Sequence, residues 1–291
     1  MELFRALGSL IEPPTPEHKG VAAALGLPPV PEPAVHGSEI SFQRYPYASV
    51  YLGPEGMMGG EARARIAGFW VALGLEAPEE PDHLSALFSL LASLDENLAG
   101  ERDEAQRVLL NQAKATLVWE HLFSWCVPYL TAFRGCAEPF YREWAGLCEG
   151  ALRDVVQELE IPEYLPRALV EMPGFEDPRV GDDGEAFLRG LLAPSRSGLV
   201  ILREDLFRAS EELGLALRAG ERRYVLSAFF AQDPSRTLMW ARDFADAWCR
   251  QLSQWEGIGP IAQWWVDRGQ KTARILRSLA SDPSLGPVAA S

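Results

Sequence analysis

Apolar residues recur along most of this chain at intervals of three and four, the spacing that places them on one face of an α-helix. Leu3, Phe4, Leu7 and Leu10 form the first such stripe, and Pro13-Pro14 ends it by removing a backbone donor. A second stretch runs from Val21 to Leu27 and stops at Pro29; the proline-, glycine- and charge-rich segment from there to Pro46 reads as loop. Ile66, Phe69, Trp70 and Leu73 share a face of the next helix, which breaks between Pro78 and Pro81. Leu84, Leu87, Phe88, Leu91 and Leu94 then give the clearest stripe of all. Pro81 suits its first turn, and Asp82 near its start is favoured by the helix dipole.

Two longer helical patterns follow. One spans Glu101 to Phe133 with Leu109, Leu117, Trp119, Leu122 and Phe123, and is expected to kink or divide at Pro128; the other spans Pro139 to Leu159. Pro162 to Gly184 is punctuated by proline and glycine and reads as a connection. Beyond it come helical patterns from Arg203 to Leu217, Glu221 to Phe230, Pro234 to Trp255 and Ile261 to Leu279, then a frayed tail after Asp282. Only Gly198 to Leu202 looks like a strand. The fold class predicted is all-α, a multi-helix bundle with additional C-terminal helices. Its expected domains are residues 1–158, a connecting segment at 159–194 and a C-terminal helical region at 195–291.

Composition narrows the function. With 291 residues and 47% hydrophobic content the chain has ample material for a core. A net charge of −14 disfavours nucleic acid and anionic lipid and favours cationic partners. Cys126, Cys136, Cys148 and Cys249 are widely spaced and match no metal pattern, so they read as buried thiols in a reducing compartment. The first residues lack a signal-peptide pattern, and no apolar run approaches the roughly 20 residues of a membrane span, which points to a cytoplasmic protein.

Motifs for phosphate, dinucleotide, zinc-hydrolase, esterase and calcium sites are absent from the sequence. The four histidines are His18, His36, His83 and His121, and two of them directly follow an acid, in Asp82-His83 and Glu120-His121. Taken alone, His121 reads as a helix-face residue beside Trp119 and Phe123, and Asp82-His83 as an acidic helix start. Trp119, Phe123, Trp125 and Tyr129 read as core, as does the later tryptophan cluster. Trp264 and Trp265 are adjacent and cannot both face one core, so one is expected to be exposed or at an interface.

Several of these stretches, in this order and spacing, resemble the TorD/DmsD/NarJ family of redox-enzyme maturation chaperones. They are Tyr47-Ala48-Ser49-Val50-Tyr51-Leu52, Ile66-Ala67-Gly68-Phe69-Trp70, Leu73-Gly74-Leu75 and Glu80-Pro81-Asp82-His83-Leu84. Phe123 to Pro128 and Pro139 to Leu147 are similar to the family's following helices, so the resemblance covers residues 1–158. Pro194 to Gly198 and Gly220 to Arg223 look like a longer branch of the same family. Two features depart from the pattern. Many relatives place one residue between the proline and the aspartate, whereas Pro81 adjoins Asp82 here, and the Pro29 to Arg44 loop stands where some members carry an aromatic helix.

The resemblance implies a TorD-like, non-enzymatic cytoplasmic chaperone. Its partners would be a twin-arginine leader peptide and the apo form of a molybdenum-cofactor oxidoreductase, held until cofactor insertion is complete. Such a leader presents an arginine pair and then an apolar segment, so its receptor needs carboxylates and an apolar wall. Glu79, Glu80 and Asp82 are the candidate carboxylates, His83 a candidate for bonding peptide backbone or orienting Asp82, and Tyr51, Trp70 and Phe88 the candidate wall. No cofactor or metal of its own is implied, GTP has no supporting motif, and the chain is expected to be a monomer or homodimer. The alternatives are a non-catalytic assembly subunit of a respiratory complex and a nucleotide-binding switch.

Overall fold

Helix follows helix in the computed structural model, which describes residues 2–180, 184–255 and 257–282. Among the described residues there is no strand, only an isolated antiparallel bridge between Tyr47 and His83. The chain divides into two compact units: the first runs to Glu171 without Pro54–Gly56 and adds Gly257–Ile261, and the second takes the remainder.

The first unit contains α1 (Glu2–Ser9), α2 (His18–Ala24), α3 (Pro33–His36), α4 (Ala48–Leu52), α5 (Gly60–Ala72), α6 (Leu84–Gly100), α7 (Glu104–Thr116), α8 (Ser124–Thr131), α9 (Pro139–Gln157) and α10 (Arg167–Val170). Its centre is a block of aromatic rings. Tyr51 stacks on Trp125 with centroids 5.6 Å apart, Tyr129 meets Tyr51 edge-on at 5.5 Å, and Phe133 meets both Tyr129 and Trp144 edge-on. Burying each such side chain contributes about 2–3 kcal/mol, and the edge geometry adds to that. The Trp144 indole N–H donates to the Leu7 carbonyl at 2.9 Å, fastening α1 to α9. Gly8 lets α1 lie close against α6, since a side chain there would come within 3.2 Å of the Ser85 backbone.

Several elements differ from expectation for identifiable reasons. The segment from Pro29 to Pro46 is not simple loop: Pro33 opens α3, which continues into a π-helical turn at Gly37–Ser41. A buried guanidinium anchors it. Arg44 donates from Nε to the Ala132 carbonyl at 3.0 Å, pairs with Glu39 at 2.7 Å and lies over the Phe133 ring, while His36 bonds the Tyr141 hydroxyl at 2.8 Å. The pattern from Glu101 to Phe133 starts at Glu104 behind the N-cap Asp103, and its irregularity is a π-helical stretch at Leu117–Phe123, with Pro128 inside α8. The widened turn ends just before Ser124, whose carbonyl Pro128 has no N–H to bond. The helix after Pro81 begins at Leu84, with His83 as its cap, so Pro81 and Asp82 lie outside its first turn.

The second unit contains α11 (Gly184–Leu192), α12 (Pro194–Ser197), α13 (Arg203–Leu213), α14 (Arg222–Gln232), α15 (Pro234–Leu252) and most of α16 (Pro260–Ala280). Gly198 to Leu202 is buried but pairs with no strand: it leaves α12 through a left-handed Gly198 and is extended at Leu202. Side chains satisfy its backbone instead: Ser197 Oγ accepts from Leu199 N–H, Arg222 donates to the Ile201 carbonyl, and Asp205 accepts from Leu202 N–H. α13 stops at Leu213, short of Leu217, because Gly214 turns left-handed at φ +61° and Leu215 N–H closes onto Ser210. Of the tryptophan pair, Trp265 is buried and Trp264 half-buried under the Arg268 guanidinium at 4.4 Å. All four cysteines are buried and free. The expected frayed tail after Asp282 lies outside the described residues.

The tightest packing in this unit is glycine against glycine. Gly198 has φ +74°, Trp248 Nε1 donates to its carbonyl at 2.9 Å, and a Cβ there would fall 2.4 Å from the backbone nitrogen of Gly269. Gly198→Ala is therefore expected to destabilise the chain by about 2–4 kcal/mol in urea unfolding. Gly146→Ala, on an open face of α9, is expected to stabilise it by up to about 1 kcal/mol. Equal effects from the two would contradict this packing.

Candidate functional site

Two short stretches of the first unit, Tyr47–Leu52 and Glu79–Leu84, are tied together by backbone and side chain. Ala48 N–H donates to the Asp82 carbonyl at 3.0 Å and Leu84 N–H to the Pro46 carbonyl at 2.8 Å. The Asp82 carboxylate, 1% exposed, accepts from Ser49 N–H at 3.1 Å. Asp82 thus caps α4 from across the chain, satisfying two amides of the first turn that no local side chain reaches. Ser49 Oγ in turn accepts from Gly59 N–H at 3.0 Å, which fixes the entry to α5.

His83 is the N-cap of α6, its Nδ1 accepting from Ser85 N–H at 3.3 Å. The Tyr47 ring packs edge-on against it at 4.8 Å, and Glu12 approaches Nδ1 at 3.3 Å while accepting from the Ser85 hydroxyl. Burial lowers the His83 pKa against the pull of Glu12, Glu80 and Asp82, so the ring is neutral near pH 7 and the Glu12 contact is not an ion pair. The Tyr47 hydroxyl is held protonated, first by burial and then by its hydrogen bond to Glu80.

The candidate residues therefore separate by position. Glu79 and Glu80 are exposed on the turn, and Arg63 holds the turn back against α5 by donating to the Glu79 carbonyl at 2.6 Å. Asp82 and His83 are buried beneath it and engaged as caps. Tyr51 and Phe88 lie in the core, 1% and 0% exposed, Phe88 packed edge-on against Phe4, so in this conformation neither presents a surface. Trp70 is half-buried near the end of α5, and its indole N–H has no acceptor among the described residues. Close by in the chain, Val71 and Leu75 are exposed apolar side chains, followed by Glu76.

α5 is thinly held. Ile66 is its one fully buried residue, and Phe69 rests on the His121 ring at 4.6 Å. Burial pushes the His121 pKa down to about 4, with Arg65 adding to the effect. Sequence reasoning did not single out Ser49, Glu12 or Arg63 for roles here. Ser49 lies within the Ser49-Val50-Tyr51-Leu52 motif, whereas nothing local marks Glu12 or Arg63 as partners of the turn. Among the described residues no cluster of three or more His, Cys, Asp or Glu could hold a metal, and no helix is long and apolar enough to cross a membrane. The arrangement is a rigid acidic turn beside partly exposed apolar surface, suited to holding a cationic, apolar segment.

Asp82→Ala is expected to lower stability by about 1–3 kcal/mol by leaving the Ser49 amide buried without an acceptor, as read by denaturant unfolding. An unchanged midpoint would contradict the cap. His121 binds its proton more readily unfolded than folded, so the stability it confers is present above about pH 6.5 and lost as pH falls from there towards 4. The full loss is on the order of 3 kcal/mol. His121→Phe should flatten the decline measured between pH 6.5 and 5; an equally steep decline in the variant would contradict it.

Residues 43–130, which hold the whole turn together with α4, α5 and α6, match the family model described as nitrate reductase delta subunit. No curated protein and no solved structure matches the chain.

Proposed function

We propose that this chain, whose residues 43–130 match the nitrate reductase delta subunit family model, is a NarJ- and TorD-like redox-enzyme maturation chaperone and binds the twin-arginine leader of its molybdoenzyme client at the Glu79–Glu80 turn. Members of that family are chaperones for molybdoenzymes. The observation that carries the reading is the exposure of Glu79 and Glu80 on a turn whose base is locked by Asp82, His83 and Arg63.

A turn whose backbone is already held loses less entropy when guanidinium groups arrive at its carboxylates, and carboxylate–guanidinium pairs can be bidentate. The leader's apolar segment would lie along the exposed side chains of Val71 and Leu75. Asp82 and His83 act by positioning the turn, and Tyr51 and Phe88 by supporting it from the core. Holding the leader in this way would delay export until the cofactor is in place.

Calorimetric titration with leader peptides from candidate molybdoenzymes tests this. Binding that is micromolar or tighter, salt-sensitive and abolished when both arginines of the leader are replaced is expected. The double variant Glu79→Gln, Glu80→Gln should weaken it roughly tenfold, and Glu143→Gln on the exposed face of α9 should not. Failure of every leader to bind, with capture of a leaderless mature client, would favour the assembly-subunit alternative.

A further inference from the structure

One cavity of the second unit carries charge opposite to that of the chain. It encloses about 300 Å³ between the start of α13, the start of α14 and the loop that joins them. Leu206, Phe207, Leu217 and Val225 form its apolar surface, and its charged lining is Arg203, Arg218 and Arg222 against the single carboxylate of Glu204. In a protein of net charge −14 such an excess of guanidinium groups stands out. Glu204 also points charge elsewhere, 3.8 Å from the Arg208 guanidinium outside the cavity. The first turn of α14, an 11-residue helix with no side-chain cap, adds the positive end of its dipole.

The walls are built to stay in place. Gln232 clamps the loop by accepting from Ala216 N–H at 2.8 Å and donating to the Ala216 carbonyl at 3.1 Å. Gly220, at φ +151°, leaves room for the Tyr224 ring, where a Cβ would meet it at 2.9 Å, and Arg218 reaches the Tyr224 hydroxyl at 3.3 Å. Arg222 is braced on the Ile201 carbonyl at 2.6 Å. The apolar lining is open to solvent: Phe207 is 50% exposed and Leu217 46%, and the neighbouring Tyr224 is 51% exposed, so a chain segment can lie across the cavity as well as enter it.

We infer that this cavity docks an acidic-apolar segment of the client polypeptide, a bulky apolar side chain entering between Leu206 and Leu217 while flanking carboxylates meet Arg203 and Arg218. The inference rests on the chaperone reading above and adds a second recognition site to it, of opposite polarity to the leader site.

The test is fluorescence anisotropy of a short labelled peptide in which a phenylalanine-leucine pair stands between aspartates, titrated with the full chain. Saturable binding is expected, weakened by salt, absent when lysines replace the aspartates, and reduced at least about tenfold in the double variant Arg203→Glu, Arg218→Glu and in Leu217→Asp. Circular dichroism on both variants checks that the helices persist. Equal binding of the lysine peptide, or unchanged affinity in the arginine variant, overturns the inference. So does octanoate binding the cavity more tightly than the peptide, which marks a small-molecule site, or self-association of the chain that the variant abolishes, which marks a second copy as occupant. Leader titrations of the same arginine variant separate the two readings: leader affinity should be unchanged there. A chain that ignores every leader yet takes the acidic peptide through these arginines keeps this site and loses the leader site.

Discussion

The Asp82 carboxylate accepting from the Ser49 amide is the contact on which the candidate site depends. α4 is only five residues long and too short to be stable by itself, yet all five of its side chains are buried. Its first-turn amides are satisfied by the backbone and side chain of Asp82, and the same aspartate fixes the turn that presents Glu79 and Glu80. Through Ser49 Oγ and Gly59 the constraint reaches α5, and through the bridge at Tyr47 it reaches His83 and the start of α6. One buried carboxylate thereby couples three helices, while Glu79 and Glu80 beside it stay exposed.

This division of labour suits a binding protein. Charged groups that must meet a partner gain from being exposed and held still, whereas groups that hold them are best buried with every hydrogen bond made. The first unit keeps these roles on adjacent residues: Glu79 and Glu80 outside, Asp82 and His83 beneath, and the aromatic block of Tyr51, Trp125 and Tyr129 below them. α5 buries only Ile66 fully and exposes Val71 near its end, so it has apolar surface to share beside the turn.

The helical architecture was legible in the sequence because an amphipathic stripe is a local property: α1, α6, α9, α15 and α16 all lie where the apolar spacing puts them. The segment from Pro29 to Pro46 was not, because its helical turns are stabilised by a distant partner. Arg44 reads as one more polar loop residue until Ala132 and Phe133 stand around it. The apolar run Gly198 to Leu202 looked like a strand for a similar reason: its backbone partners are the side chains of Ser197, Asp205 and Arg222, which no periodicity reveals. At the site the motif was visible but the tasks within it were not. Proximity in sequence grouped Glu79, Glu80, Asp82 and His83 as one surface, and only the fold distinguishes the carboxylates that face water from the one whose acceptor is taken by Ser49.

Hydrogen–deuterium exchange of the full chain, with and without a twin-arginine leader, tests the central claim most directly. Added protection is expected from Arg63 through Leu84, with the amides of α13 and α14 unchanged. Protection that appeared in α13 and α14 while the Glu79–Glu80 turn exchanged as before would contradict it.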